Sequence, residues 1–117
     1  MSAIDSLWQK EELEQKTVQI EDELYDQLVF LAENKLDASV SKIINACIYE
    51  FANKKEITMH EINNLSKHSV IFRKSAAEKL IELKSKFNIP QYIILNLAIK
   101  DGIDKLISLK WVSQGIL

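Results

Sequence analysis

Hydrophobic residues along the chain change their spacing in the same way twice. Val18 and Ile20 alternate with polar neighbours, the period of two that marks a short strand with one face covered. Leu24, Leu28 and Leu31 then recur at three and four, which predicts a helix directly after that strand. Leu36-Asp37-Ala38-Ser39 interrupts the pattern, with Asp37 suited to a turn and Ser39 to capping the next helix. That second helix is predicted from the broad stripe Val40, Ile43, Ile44, Cys47, Ile48 and Phe51. The later half repeats this order: Val70 and Phe72, then Ala76, Leu80, Leu83 and Phe87, then Ile94, Leu95, Ala98, Ile99 and Ile103. Its break is Phe87-Asn88-Ile89-Pro90, where Asn88 suits a turn and Pro90 a first helical turn.

The two halves align residue by residue. Residues 17–31 match 69–83 at an offset of 52, with Thr17 on Ser69, Val18 on Val70, Ile20 on Phe72 and Leu28 on Leu80. Residues 43–50 match 94–101 at an offset of 51, with Asn45 on Asn96, Cys47 on Ala98 and Glu50 on Asp101. The one-residue slip falls in the predicted loop. A single strand-helix-helix unit leaves its strand unpaired and buries too little surface to fold alone. Pairing the two strands antiparallel about a pseudo-twofold axis, over four packed helices, removes both defects. The expected fold is mainly α with a two-stranded antiparallel ribbon, two strand-helix-helix repeats forming an intramolecular pseudo-dimer. Its parts are an N-terminal helical arm (1–14), a first unit (15–53), a connector (54–66), a second unit (67–107) and a C-terminal tail (108–117). Thr58-Met59-His60-Glu61 has the spacing of a capping box and predicts a short connector helix through Leu65. Ser6 to about Gln15 reads as a charged helix carrying Leu7, Trp8 and Leu13.

The run Lys16-Thr17-Val18-Gln19-Ile20-Glu21-Asp22-Glu23-Leu24, followed by Asp37-Ala38-Ser39-Val40-Ser41-Lys42-Ile43-Ile44-Asn45-Ala46-Cys47-Ile48, resembles the ribbon-helix-helix DNA-binding superfamily that includes the Arc and methionine repressors. The resemblance covers roughly 15–53 and 67–106. It implies a two-stranded ribbon that enters the major groove, with the start of the second helix on phosphates. In that superfamily the two units usually come from two chains, so this sequence resembles a tandem, single-chain version. It also carries Asp37 and Asn88 at turns where the superfamily often has glycine.

If Val18, Ile20, Val70 and Phe72 point inward, alternation turns Gln15, Thr17, Gln19, Lys67, Ser69 and Ile71 outward. Five of these six hydrogen-bond. Gln pairs with adenine, Lys with guanine acceptors, Thr and Ser with several partners, and Ile71 suits a thymine methyl. An exposed strand is polar in any case, and Ile71 is the one residue that generality does not explain. Phosphate contacts are expected at the starts of the second helices, from Ser39, Ser41 and Lys42 in one unit and Gln91 and Tyr92 in the other. Simple N-capping by Ser39 is the competing role. Glu21, Asp22 and Glu23 favour the dipole of the first helix but oppose nearby DNA.

Charge qualifies this picture. The 117 residues carry a formal charge of −2, with a pI near 5.7, so no bulk positive charge points to nucleic acid. Residues 1–60 hold 6 lysines against 12 acidic residues, whereas 61–117 hold 9 basic against 5 acidic, an acidic half and a basic half. Arg73 is the single arginine. Apolar residues at 47% and charged residues at 27% fit a folded domain. One cysteine, Cys47, excludes an internal disulfide, and its place in an apolar stripe makes it a core residue. His60 and His68 have no companions at metal-ligand spacing, and neither a metal nor another cofactor is expected. Two glycines and one proline disfavour a turn-rich β fold and a phosphate loop. No catalytic constellation is legible, so no enzyme is expected. The absence of a basic-then-apolar leader and of about 20 consecutive apolar residues predicts a cytoplasmic protein with no membrane partner.

Two functions remain open. One is sequence-selective binding of double-stranded DNA, as a transcriptional repressor or a plasmid or mobile-element accessory factor. The other is a protein-interaction module, antitoxin-like or an assembly adaptor, with the same fold and weak DNA affinity. Apolar residues near both ends, Leu7, Trp8, Leu13, Trp111, Ile116 and Leu117, serve either as core cover or for self-association or a protein partner.

Overall fold

Two nine-residue strands, β1 (Leu13–Glu21) and β2 (Leu65–Arg73), pair antiparallel along their whole length, with Thr17 opposite Ser69 at the centre. The computed structural model describes residues 12–36 and 38–113, with side chains as far as Leu106. Each strand runs without a turn into a helix, β1 into α1 (Asp22–Asn34) and β2 into α3 (Lys74–Phe87). Neither helix has a side-chain cap at Glu21 or Arg73. The first amides are satisfied across the ribbon instead: Asp22 N–H donates to the Asn64 carbonyl at 3.0 Å and Lys74 N–H to that of Glu12 at 2.9 Å.

The second helices are α2 (Val40–Phe51) and α4 (Gln91–Ser113). Ser39 caps α2, its Oγ accepting from Lys42 N–H at 3.2 Å. The Pro90 carbonyl accepts from Ile94 N–H at 3.1 Å, so proline sits one position ahead of the first turn it was expected to occupy. Asn88 ends α3 in the left-handed conformation, φ 54° and ψ 47°. Asparagine is the non-glycine residue that tolerates this best, which explains how the turn forms without glycine. The matching Asp37 lies outside the described residues.

The described residues are therefore mainly helical, with a two-stranded antiparallel sheet. All four helices pack against the inner face of the ribbon through Ile20, Val70 and Phe72, together with Leu24, Leu28 and Leu31 of α1, Ile43, Ile44, Cys47, Ile48 and Phe51 of α2, Leu80 and Leu83 of α3, and the stripe from Ile94 to Ile103 of α4. Val18 is only partly buried, unlike its counterpart Val70. Where α2 crosses α4, a Cβ at Gly102 would lie 2.7 Å from Cys47 Cβ and closer still to its Sγ, so only glycine permits this approach.

Three expectations about the flanks are corrected. Leu13, Glu14 and Gln15 are strand, not the end of a helical arm, because β2 offers hydrogen-bonding partners as far as Arg73. The rest of that arm, with Leu7 and Trp8, lies outside the described residues. The segment around Thr58–Glu61 is not helical. It is irregular chain pinned by Glu21, whose carboxylate accepts from His60 Nε2 at 2.9 Å and Asn63 N–H at 3.1 Å, and by Asn64, which turns into β2 at φ 55°. These tertiary bonds outweigh a local capping box. Finally, the backbone of α4 stays helical through Ser113, past the expected boundary at 107, since no glycine or proline follows Gly102 before that point. Trp111 is thus on a helix, while Ile116 and Leu117 lie outside the described residues.

Candidate functional site

The outer face of the ribbon is a surface of paired rows. Because side chains alternate, Leu13 and Arg73, Gln15 and Ile71, Thr17 and Ser69, Gln19 and Lys67, and Glu21 and Leu65 stand side by side on it. All six residues expected to read bases, Gln15, Thr17, Gln19, Lys67, Ser69 and Ile71, are exposed there. Ile71 is 44% exposed and Leu13 65%, an exposed apolar pair at one end of a face whose three central rows are otherwise polar. Across the middle, Gln15 Nε2 donates to Ser69 Oγ at 2.6 Å, which orients the Gln15 amide along the ribbon.

Two buried asparagines tie this ribbon to the second helices. Asn45 of α2 donates through Nδ2 to the Ile71 carbonyl at 2.9 Å and accepts Arg73 N–H at 2.9 Å. Asn96 of α4 donates to the Gln19 carbonyl at 3.0 Å and accepts Glu21 N–H at 2.9 Å. Each also donates four residues back, to the Ser41 and Tyr92 carbonyls. An amide side chain supplies the two donors and the acceptor that these three bonds require. The role of these residues went unread in the sequence, although a polar residue at the same place in two apolar stripes was the available signal.

The expected phosphate contacts divide. Ser39 is the N-cap of α2, and the Ser41 hydroxyl accepts from Ile71 N–H at 3.0 Å, so both oxygens hold structure. Lys42 is exposed beside them. Gln91 is half-buried and Tyr92 is 45% exposed at the start of α4, lining a shallow cleft with Thr17, Val18 and Gln19. The structure brings Ser41 and Lys42 to the Ile71 end of the ribbon, and Gln91 and Tyr92 to the Lys67 end.

The histidines are held apart. His60 bonds Glu21, while the His68 ring stacks on Tyr25 at 3.6 Å on the inner side. Among the described residues, no group of three or more His, Cys, Asp or Glu side chains is placed to hold a metal, and no helix is long and apolar enough to cross a membrane. Burial and then the Asp101 carboxylate push the Cys47 thiol up to about 12. The thiolate that a nucleophile needs is thereby suppressed. No family model matches the sequence, and no curated protein or solved structure is similar to it.

Proposed function

We propose that the chain is a single-chain pseudo-dimer of two strand-helix-helix units that binds double-stranded DNA without catalysing a reaction, laying its ribbon in the major groove as a repressor or an accessory factor. The pseudo-dimer is supported by equivalences at the offset of 52 in the strands and first helices, and of 51 in the second helices. Thr17 faces its own counterpart Ser69. The strand-to-helix bonds Asp22 to Asn64 and Lys74 to Glu12 are counterparts too, as are the strand bonds of Asn45 and Asn96.

The observation that carries DNA binding is the ribbon's outer face. Three consecutive rows of exposed, mostly hydrogen-bonding side chains project from a ribbon of the width the major groove admits, backed by rigid helices. Lys42, Gln91 and Tyr92 flank the rows where backbone phosphates would run. The rival, a protein-interaction module, is favoured by the exposed apolar pair Leu13 and Ile71 on the same face. A binding titration of the full chain against random-sequence duplex and against DNA from upstream of its own gene separates the two. Saturable binding, tighter on the upstream DNA and weakened by salt, is expected. No binding to either duplex at about 50 mM salt would dismiss the DNA reading in favour of the rival.

A further inference from the structure

We propose that the ribbon reads a directional, non-palindromic stretch of duplex, with an A·T pair under its Ile71 end and a G·C pair under its Lys67 end. This inference rests on the DNA-binding reading above. In two identical chains both ends of such a ribbon would carry the same pair of residues. Here the pseudo-twofold passes through the Thr17 and Ser69 row, and the rows on either side of it differ: Gln15 with Ile71 on one, Gln19 with Lys67 on the other.

Each row has its own chemistry. Gln15 offers an amide to the N6 and N7 atoms of adenine, and Ile71 beside it offers an apolar surface to the thymine methyl of the same pair. Ser69 is a positioning residue for this end. Its Oγ takes one of the two Nε2 hydrogens of Gln15 at 2.6 Å, leaving the other hydrogen and Oε1 to face the base. At the opposite end, Lys67 provides donors for guanine O6 and N7, and Gln19 a carbonyl for a base amino group. The central hydroxyls of Thr17 and Ser69 impose little choice. Four residues separate the outer rows, about 13 Å of strand, which corresponds to roughly four base-pair steps at about 3.4 Å.

Charge adds to the polarity. Arg73 and Lys74 lie at the Ile71 end, with Lys42 on the adjoining start of α2. Glu21, Asp22 and Glu23 lie at the Lys67 end, where Lys67 and Lys16, which lines the cleft with Gln91 and Tyr92, are the cations; Glu12 and Glu14 offset part of the positive charge at the Ile71 end. Phosphates beside the Ile71 end are held more strongly, but all phosphates carry the same charge, so it is the two base-reading rows that set the orientation of the duplex.

The test is selection of bound duplexes from a random library by the full chain, followed by base-analogue titrations on the selected site. The expected motif is not its own reverse complement, and it places A·T and G·C about four pairs apart. Replacing the thymine of that A·T pair with uracil removes only the methyl group and should weaken the native protein several-fold, but leave Ile71→Ala unaffected. Replacing the guanine with 7-deazaguanine removes N7 and should cost about tenfold, but leave Lys67→Ala unaffected. Ser69→Ala should lose discrimination at A·T alone. All three residues are exposed, and far-UV circular dichroism checks that each variant keeps its helices. A motif palindromic about its centre, binding without sequence preference, or analogue effects that persist in the matching variants would each overturn this inference and leave DNA binding standing. Failure to bind any duplex would overturn both.

Discussion

Asn96 shows how much one side chain can decide. It is fully buried, and its three hydrogen bonds join the start of α4 to the last residues of β1, at the Gln19 carbonyl and the Glu21 amide. Asn96→Ala leaves the Gln19 carbonyl and the Glu21 amide without their partner, and should cost about 2–4 kcal/mol, read from the urea midpoint. A loss below about 0.5 kcal/mol would mean that water replaces the amide and that the clasp is dispensable. Cys47 predicts a pH dependence. Its thiol loses its proton near 9 ordinarily and near 12 in the fold, because burial and Asp101 disfavour the thiolate. The unfolded chain therefore releases this proton first as pH rises, so the folded state loses stability between pH 9 and 12 and keeps its full share below 9. Cys47→Ala, a change to the residue found at the matching Ala98, should flatten that part of the alkaline limb in pH-dependent denaturation. An unchanged limb would show that other groups govern it.

The helices meet at a contact that glycine alone allows. A methyl at residue 102 would stand 2.7 Å from Cys47 Cβ and closer still to its Sγ, against a helix rather than a flexible tip. Gly102→Ala should therefore destabilise by about 1–3 kcal/mol despite its better helix propensity, and Cys47→Ala in that background should restore part of the loss by removing the sulfur. Stabilisation by Gly102→Ala would mean that α2 and α4 separate freely. The strands impose a stronger dependence between elements. Each needs the other for its ladder, and Val70, 1% exposed, lies on β2, which packs against both α2 and α3. Fragments 1–60 and 61–117 should each be largely unstructured and should regain helicity on mixing, followed by circular dichroism. Cooperative unfolding of either fragment as a monomer would rule out an obligatory ribbon.

At the scale of the whole molecule the constraint is electrostatic. A chain with a formal charge of −2 would neutralise few phosphates of a duplex, and among the described residues the cations near the ribbon are Lys16, which pairs with Glu14 at 3.3 Å, Lys42, Lys67, Arg73 and Lys74. If three or four of these meet phosphates, the plot of log K against log salt should slope at about −3 to −4 per molecule. On the proposed reading, such weak electrostatic binding would be strengthened by two molecules on neighbouring sites. A slope near zero in a complex that still forms would shift the interface away from the ribbon.

The spacing of apolar residues was sufficient to determine that strand, helix and helix follow one another twice, and that Gln15, Thr17 and Gln19 turn to the same side as Lys67, Ser69 and Ile71. Both follow from local geometry, since a period of two or 3.6 assigns faces before any contact is made. It did not determine where elements end. Leu13 joins a strand because Arg73 lies opposite it, and the segment at Thr58 stays non-helical because Glu21 binds His60 and Asn63 from 39 and 42 residues away. Nor did it reveal the work of Asn45 and Asn96, whose partners lie 26 to 28 and 75 to 77 residues distant on the ribbon. Register, clasp and the pairing of Gln15 with Ile71 and of Gln19 with Lys67 depend on which backbone groups meet across the core. That is decided only once the two halves have folded onto each other, because a hydrogen bond's worth depends on the burial of both its ends.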